Sequence, residues 1–275
     1  MHVDRTLVMG ILNRTPDSFY DGGRTSLEES IAHAHGMLSD GCDIIDIGGI
    51  KAGPGDPVST TEEIERVLPL VEALREETDA MLSVETGRVE VARQILADGP
   101  AIINDVTALA DPELAAVCAN HAAPLVLMHH GGQLRGRPRN PRYPDVVADV
   151  IETWDRLTEL AVSRGISAEA LIYDPGLDFG KTTFHSLDIM RRLPELTNDR
   201  RVLVAASRKD VVGETLDLPL QERLEGSLAL VAVSALHGAS IVRVHDVRES
   251  VRVVRMVEAV LGTRPPAAPI RGLWE

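Results

Sequence analysis

Eight short apolar runs, each ending in polar or glycine residues, constrain the fold of this chain more than any other feature. The runs are rich in Val, Ile and Leu and do not alternate cleanly with polar residues, as is typical of strands covered on both faces. They are LVMGILN (7–13), DIIDIGG (43–49), AMLSVET (80–86), AIINDVT (101–107), PLVLMHH (124–130), LIYDPGL (171–177), RVLVAAS (201–207) and SIVRVHD (240–246).

Helical periodicity fills the intervals between these runs. Ser59 and Thr60 precede Glu62 and Glu63, which is close to a capping-box start for a helix over 59–77. Further helices are predicted over 27–41, 145–165, 185–195, 218–237 and 247–261, with shorter ones over 88–98 and 112–121. Eight strand–helix alternations in about 250 residues favour an α/β fold, the (β/α)8 TIM barrel, over a doubly wound open sheet. We expect a single domain over 1–275, with 262–275 as a C-terminal extension.

The composition narrows the class of partner. The 275 residues carry a formal net charge of −14, which disfavours nonspecific binding to nucleic acid or to a membrane surface. The two cysteines, Cys42 and Cys118, form neither a disulfide framework nor a zinc signature. The N-terminus lacks the apolar stretch of a signal peptide, and no run reaches the roughly 18 apolar residues of a membrane span. We therefore expect a cytoplasmic protein without nucleic-acid or membrane partners.

Polar side chains end nearly every predicted strand. In a TIM barrel the carboxyl ends of the strands form the active site, so we expect these side chains to converge there. They are Asn13, Asp46, Glu85, Thr86, Asn104, Asp105, His129, His130, Asp174, Ser207, Arg208, Lys209, Arg243, His245 and Asp246.

Hydrogen-bond donors and positive charge gather after the last two strands, where barrels often hold phosphate. Five residues supply them, namely Ser207, Arg208, Lys209, Arg243 and His245. We interpret the cluster as an anion site. The alternative is a salt-bridge network with Asp210 and Asp246.

The acidic and amide side chains at the strand ends indicate that the ligand also carries a second kind of chemical group. Asp46, Glu85, Asn104, Asp105 and Asp174 are expected to face one cavity. A carboxylate accepts paired hydrogen bonds from a planar NH–C–NH edge, and an amide both donates and accepts, which suits a heterocycle with a guanidine-like edge. A metal site is the alternative. Magnesium often sits on substrate phosphates with few protein ligands, in which case Asn13 would contact a metal bound to a diphosphate.

Two loops carry further signals. NRTPDSFYDGGR (13–24) is interpreted as a mobile lid, because Phe19 and Tyr20 would exclude water from a polar site. The stretch 131–143 holds Arg135, Arg137, Arg139 and Arg142. It is interpreted as a solvated loop, with steering of an anionic ligand as the alternative.

An ordered set of motifs runs from about residue 7 to 262. It consists of MGILNRTPDSFYDGG, DIIDIGG, LSVET, IINDV, LMH, YDPGLDFGK, SRK and IVRVHDV. Each motif is weak alone, but the ordered set strongly resembles the dihydropteroate synthases of folate synthesis. The resemblance implies a barrel that joins 6-hydroxymethyl-7,8-dihydropterin diphosphate to p-aminobenzoate, releases diphosphate, uses Mg²⁺ and forms a homodimer.

The resemblance also implies roles for individual residues. Asp174 and Asn104 match the residues that read the amino-pyrimidine edge of the pterin. Lys209 matches the lysine that bonds the pterin ring, and Arg243 matches the arginine that stacks over it. The implied set comprises the catalytic residues Lys209, Arg243 and Asp174, the substrate-binding residues Asn104, Glu85, Asp17, Ser207, His245 and Phe179, and Asn13 as the metal ligand.

The diphosphate holders of the family are matched by Arg243, His245 and Asn13, the last together with magnesium. In the family, the carbon–oxygen bond to diphosphate breaks early and leaves a cation-like pterin methylene. Negative groups nearby are expected to stabilise this methylene, and magnesium with hydrogen-bond donors is expected to stabilise the leaving group.

The chain departs from the family pattern on the side of the second substrate. After DIIDIGG the family usually continues Glu-Ser-Thr-Arg-Pro-Gly, whereas this chain reads IKAGPG (50–55), without the threonine and arginine that frame the p-aminobenzoate pocket. Glu85 is one methylene longer than the family's aspartate, and Arg14 replaces a small apolar residue. Asp210 and Val211 stand where the family has serine and phenylalanine. This combination resembles the divergent second synthase paralogue of actinobacteria.

Three functional hypotheses follow. The chain is a working synthase with a remodelled p-aminobenzoate pocket, a paralogue that binds the pterin diphosphate but couples it poorly or to another nucleophile, or a noncatalytic binding protein. A corrinoid-linked methyltransferase is a remote fourth, disfavoured by the TPDSFYDGG and SRK motifs. Retention of Asp174, Lys209 and Arg243 argues against the third hypothesis, and the missing Thr-Arg pair argues against the first. We take synthase chemistry as the reaction class, with weak or absent activity as the alternative.

Overall fold

All eight predicted strands are present in the computed structural model, which describes residues 5–14, 26–50, 57–132 and 141–271. The strands are β1 (Leu7–Asn13), β2 (Ile44–Gly48), β3 (Met81–Glu85), β4 (Ile102–Asp105), β5 (Leu125–Met128), β6 (Leu171–Asp174), β7 (Leu203–Val204) and β8 (Ile241–Val244). They pair in parallel, in the order β6-β5-β4-β3-β2-β1-β8-β7. A parallel bridge between Tyr173 and Val202 brings the two outermost strands together and nearly closes the barrel. The TIM-barrel prediction is confirmed, and the open-sheet alternative is wrong.

Helices occupy the intervals in which they were predicted. Their bounds are α1 (Leu27–Ser39), α2 (Thr60–Glu77), α3 (Val89–Ala97), α4 (Glu113–Asn120), α5 (Val146–Ser163), α6 (Thr183–Arg191), α7 (Leu193–Thr197), α8 (Asp210–Leu216), α9 (Leu224–Leu236) and α10 (Val247–Val260). Ser59 caps α2, since its hydroxyl accepts a hydrogen bond from the backbone N–H of Glu62 at 3.1 Å. No helix within the described ranges is long and apolar enough to cross a membrane.

Two helical details differ from the sequence prediction. The stretch predicted as one helix over 185–195 divides at Arg192, because Pro194 has no N–H to continue the hydrogen-bond pattern and instead lies in the first turn of α7. Helix α8 was not predicted, since its seven residues are too few to show a clear period. The described part of the C-terminal extension, 262–271, contains no helix or strand.

Side chains of the strands alternate between two hydrophobic layers, as the pleat requires. Residues such as Val8, Ile45 and Ile103 point outward and pack against the helices. The inner layer fills the barrel with Leu7, Met9, Ile44, Ile102, Val126, Ile172, Leu203, Ala205 and Ile241. Five strand segments carry an inner polar residue at their carboxyl end, two positions after an inner apolar residue. These polar residues are Asp46, Asn104, Asp174, Ser207 and Arg243. This alternation decides which polar strand ends face the site.

Candidate active site

Asp46 is the hydrogen-bonding centre of the inner polar layer. Its carboxylate is fully buried on β2 and accepts hydrogen bonds from Ser83 Oγ at 2.5 Å and from Asn104 Nδ2 at 3.2 Å. Arg243 Nε donates to the same carboxylate at 2.6 Å. The bond from Asn104 orients its amide with the nitrogen toward Asp46. Four strands are thereby joined at the level where the apolar filling of the barrel ends.

Arg243 lies between two carboxylates. Besides Asp46, its guanidinium donates from Nη2 to Glu85 Oε2 at 2.7 Å. Burial acts to lower the pKa of Arg243, but the charges of Asp46 and Glu85 outweigh it and raise that pKa. Burial raises the pKa of Glu85, against the opposing charge of Arg243. The arginine stays charged, and Glu85 occupies one edge of its guanidinium.

Asp174 and Lys209 form a second pair of opposite charges. The Asp174 carboxylate accepts a hydrogen bond from the backbone N–H of Gly176 at 2.7 Å. Lys209 Nζ donates to the carbonyl of Leu177 at 2.9 Å and lies 4.8 Å from the ring centroid of Phe179. Burial raises the pKa of Asp174 and lowers the pKa of Lys209, and each residue's charge opposes the shift of the other. The segment after β6 thus brings Asp174, Phe179 and Lys209 together.

Ser207 and His245 join the same side from β7 and β8. The Ser207 hydroxyl accepts a hydrogen bond from the backbone N–H of His245 at 3.2 Å, and it lies 3.1 Å from His245 Nδ1. The structure therefore brings Ser207, His245 and Arg243 to the inner face of neighbouring strands.

Arg208 does not share that face, since it follows Ser207 and points outward. Its Nε and Nη2 bind the two oxygens of Asp246 at 2.8 and 2.7 Å. Asp210 is paired with Arg223 at 3.3 Å. For Arg208 the salt-bridge interpretation is the correct one, and the candidate anion site rests on Ser207, Lys209, Arg243 and His245.

Asp105 was predicted to face the cavity, and this prediction is wrong. It follows Asn104 directly, so the pleat turns it to the outer face. There its buried carboxylate accepts hydrogen bonds from the backbone N–H groups of Thr107 and Leu109 at 2.7 and 2.6 Å. Asp105 holds the loop after β4. The same parity places His129 outside the barrel, with Nε2 2.7 Å from Asp149 Oδ1.

Glu63 and Arg88 hold the loops after β2 and β3 in the same way. Glu63 is fully buried on α2, and Arg88 Nη1 donates to its carboxylate at 2.8 Å. Arg88 Nη2 also donates to the carbonyl of Val58 at 2.6 Å. Outer polar residues therefore fix the loops, whereas inner ones form the site.

Several predicted residues lie outside the described ranges. They are Asp17, the lid residues Phe19 and Tyr20, the loop 51–55, and Arg135, Arg137 and Arg139. Two residues of interest were not singled out from the sequence. Ser83 could have been found from strand parity, because it stands two positions before Glu85. Lys181 is the last residue of the YDPGLDFGK motif, but the sequence analysis assigned it no role.

Asn13 ends β1 beside Gly48, and a Cβ on that glycine would lie 3.1 Å from Asn13 Oδ1. Within the part of the chain that the structure describes, no group of three or more His, Cys, Asp or Glu could hold a metal. A single amide oxygen suits Mg²⁺ that is held mainly by a substrate diphosphate. The residues that the structure describes fit a substrate-borne magnesium ion and do not form a site that would hold a metal by themselves.

The inner residues divide into two chemical groups. Asp174 and Asn104 offer carboxylate and amide atoms that can pair with the planar N–H edge of a heterocycle. Lys209, Arg243 and His245 offer donors and positive charge for an anion. The site can therefore bind a flat heterocycle that carries an anionic group.

Comparison with known proteins agrees with this chemistry. The family model described as "Pterin binding enzyme" matches residues 9–245. "Inactive dihydropteroate synthase 2" of Mycobacterium leprae is 46% identical over 98% of this chain and 96% of that protein. Dihydropteroate synthase of Bacillus subtilis is 42% identical over 94% of this chain and 90% of its own length. A crystal structure of Yersinia pestis dihydropteroate synthase in a sulfonamide drug complex superposes with a TM-score of 0.91, at 40% identity, over 96% of this chain and 97% of that one.

Proposed function

The chain belongs to the family of pterin-binding enzymes, and from this premise we propose that it is a dihydropteroate synthase-type transferase. It condenses 6-hydroxymethyl-7,8-dihydropterin diphosphate with p-aminobenzoate and releases diphosphate. The observation that carries the proposal is the arrangement of Asp174 and Asn104 with Lys209 and Arg243 on one inner face at the carboxyl ends of the strands.

Recognition of the pterin follows from the buried acceptors. Asp174 and Asn104 accept and donate hydrogen bonds along the amino-pyrimidine edge. Contacts with the Leu177 carbonyl and the Phe179 ring hold Lys209 so that its ammonium can bond the pterin ring. Because Asp174 and Asn104 are buried, their hydrogen bonds to the pterin meet little competition from water.

The diphosphate is the leaving group. Arg243, Ser207 and His245 offer it donors from two neighbouring strands. The carboxylates of Asp46 and Glu85 lie beside Arg243 and would stabilise positive charge on the pterin methylene as the carbon–oxygen bond breaks. Asn13 would hold a magnesium ion together with the diphosphate, and the ion would add charge stabilisation to the leaving group.

A second candidate function is favoured by two observations on the second-substrate side. Glu85 occupies an edge of the Arg243 guanidinium, and IKAGPG (50–55) lacks the Thr-Arg pair of the family. The Mycobacterium leprae relative is named inactive, whereas the Bacillus subtilis relative is not. The second candidate is a paralogue that binds the pterin diphosphate with weak or no coupling to p-aminobenzoate, or that uses another nucleophile.

A homodimer is part of the proposal. Helix α9 reads LEGSLALVAVSAL and is apolar on almost every side, yet only four of its residues are buried. Leu236 at its end is 54% exposed. A helix that is apolar all round is normally covered, and a second copy of the chain would cover this one.

The experiment that tests the proposal is steady-state turnover of the purified protein with the pterin diphosphate, Mg²⁺ and p-aminobenzoate, with diphosphate and dihydropteroate followed together. Equal amounts of both products at about 1 per second, the low end for ordinary enzymes, support the synthase. Binding of the pterin diphosphate without dihydropteroate supports the second candidate. Absence of pterin binding would overturn both.

A further inference from the structure

Lys181 is a buried side chain that the proposed reaction does not use, and burial lowers the pKa of its ammonium to about 7. It is 2% exposed, and its Nζ lies within hydrogen-bond distance of four acceptors. Three are backbone carbonyls, of His129 at 3.1 Å, Gly176 at 3.0 Å and Phe179 at 3.0 Å. The fourth is the ring nitrogen Nδ1 of His129 at 2.7 Å. The protonated side chain has three N–H groups, so it can donate to all three carbonyls, or to two carbonyls and the ring nitrogen of His129.

The state of His129 follows from these contacts. The Asp149 carboxylate accepts, so the ring proton is on Nε2, and Nδ1 accepts from Lys181. Burial, together with the charge of Lys181, lowers the pKa of His129 to about 4. The histidine is therefore neutral near pH 7, and Lys181 meets a neutral acceptor.

The carbonyls that surround Lys181 belong to two loops in backbone contact. Gly176 and Gly180 have φ angles of +62° and +61°. A Cβ at Gly176 would lie 1.9 Å from the carbonyl oxygen of His129, and one at Gly180 would lie 2.5 Å from that of His130. The segment 175–181 winds around the ammonium and rests on the end of β5, and only glycine fits the two points of contact.

The same segment is what supports Lys209. Its Leu177 carbonyl accepts the hydrogen bond from Lys209 Nζ, and its Phe179 ring packs beside that ammonium. Its Asp178 carboxylate accepts from the backbone N–H of Val211 at 3.1 Å, two residues after Lys209. The segment therefore contacts the Lys209 side chain and the start of α8.

We propose that Lys181 is a positioning residue, which shapes the segment 175–181 so that Leu177, Phe179 and Asp178 hold Lys209 in place for the pterin. Lys181 touches no substrate. It acts through the three carbonyls and His129, as a buried hydrogen-bond donor around which the backbone is wound. The ligand part of the inference rests on the proposed function, whereas the mechanical part, from Lys181 to Lys209, does not.

The test compares Lys181→Met with the matched control Arg75→Met. Arg75 is also a cation that donates to three carbonyls, those of Ile95, Gly99 and Pro100, but at the opposite end of the barrel. Amide hydrogen exchange of the full chain, without ligand, is followed in peptides that cover 175–181 and 207–213. Lys181→Met is expected to speed exchange in both peptides by about tenfold or more, and Arg75→Met in neither. Unchanged exchange in 207–213 would overturn the inference.

Calorimetry supplies the second readout. Lys181→Met is expected to weaken binding of 6-hydroxymethylpterin by about 10- to 100-fold, because misplacement of Lys209 by about 1 Å is costly. Binding of inorganic diphosphate should change by less than about threefold, because the proposed function assigns the diphosphate to Arg243, Ser207 and His245 and assigns Lys209 to the pterin ring. Equal losses for both ligands, or for neither, would contradict a positioning role.

Lys181→Gln covers the case in which the methionine variant does not fold. It keeps two N–H donors and should give intermediate exchange and intermediate pterin affinity. Wild-type-like behaviour of the glutamine variant in both readouts would also overturn the inference. If the wild type itself fails to bind 6-hydroxymethylpterin, the proposed function fails, while the exchange measurement still decides the role of Lys181.

Discussion

Glu85 Oε2 lies 2.7 Å from Arg243 Nη2, on the inner face of the barrel. Asp46 binds the same guanidinium from below at 2.6 Å. The arginine proposed to bind the diphosphate is thus engaged by two carboxylates. In that proposal the bond between Arg243 and Asp46 stays in place, whereas the diphosphate would have to compete with Glu85.

Shortening the Glu85 side chain is therefore expected to strengthen the binding of diphosphate. Glu85→Asp should raise the affinity for inorganic diphosphate by about three- to tenfold, because the shorter carboxylate no longer reaches the edge of Arg243. Calorimetric titration measures the change. Glu85→Gln keeps the length without the charge and should show a similar gain. A loss of affinity in both variants would mean that Glu85 supports the diphosphate instead of competing with it.

Lys209→Ala is expected to weaken binding of the pterin diphosphate by about 100-fold or more, since it removes a charged hydrogen-bond donor from a buried site. Arg191→Ala, on the exposed side of α6, changes the net charge equally and should leave the affinity unaltered. Unchanged affinity in Lys209→Ala, measured by calorimetry, would refute the pterin assignment of this lysine.

The loop after β2 gives a prediction that depends on sequence alone, because residues 52 and 53 lie outside the described ranges. Ala52→Thr combined with Gly53→Arg restores the pair that the family has. We expect a higher kcat/KM for p-aminobenzoate, by about tenfold, with unchanged affinity for the pterin diphosphate. No gain would indicate that another departure, such as Glu85, limits coupling.

Two Arg–Asp pairs allow a matched comparison of stability. Asp46→Ala leaves Arg243, Ser83 and Asn104 without their shared acceptor and should lower the free energy of unfolding by about 3 kcal/mol or more. Asp155→Ala breaks an exposed pair with Arg200 and should cost less than about 1 kcal/mol. Urea unfolding measures both. Equal losses would show that Asp46 is not the organising centre described above.

The lowered pKa of His129 predicts how the stability of the protein changes in acid. Its pKa is about 4 in the folded chain against 6.5 for the ordinary side chain, so the unfolded chain binds a proton that the folded one excludes. The free energy of unfolding should therefore fall as the pH drops from about 6.5 to about 4. Lys181, Asp149 and His130 surround the ring and share in the effect. His129→Gln, which does not titrate, should show a shallower fall in thermal melts over this range, and an identical slope would contradict the prediction.

Strand positions could be predicted from the sequence because each strand is a continuous apolar run. The direction of the strand-end side chains could have been predicted too. Asn104 and Asp105 are neighbours on β4, so only one of them can face the site, and Ile102 shows that it is Asn104. The contacts of Lys181 could not be predicted, because they depend on the left-handed turns at Gly176, Asp178 and Gly180, which bring the backbone back around its ammonium.

The inner polar layer lies on strands, whereas the departures from the family pattern include IKAGPG (50–55), between β2 and α2. If the proposed function is correct, the chain can therefore change its nucleophile, or lose it, without disturbing the strand residues proposed to bind the heterocycle. This separation has a pharmacological consequence. A compound that binds only Asp174, Asn104 and Lys209 would act alike on this chain and on its synthase relatives, while a mimic of the second substrate would discriminate between them.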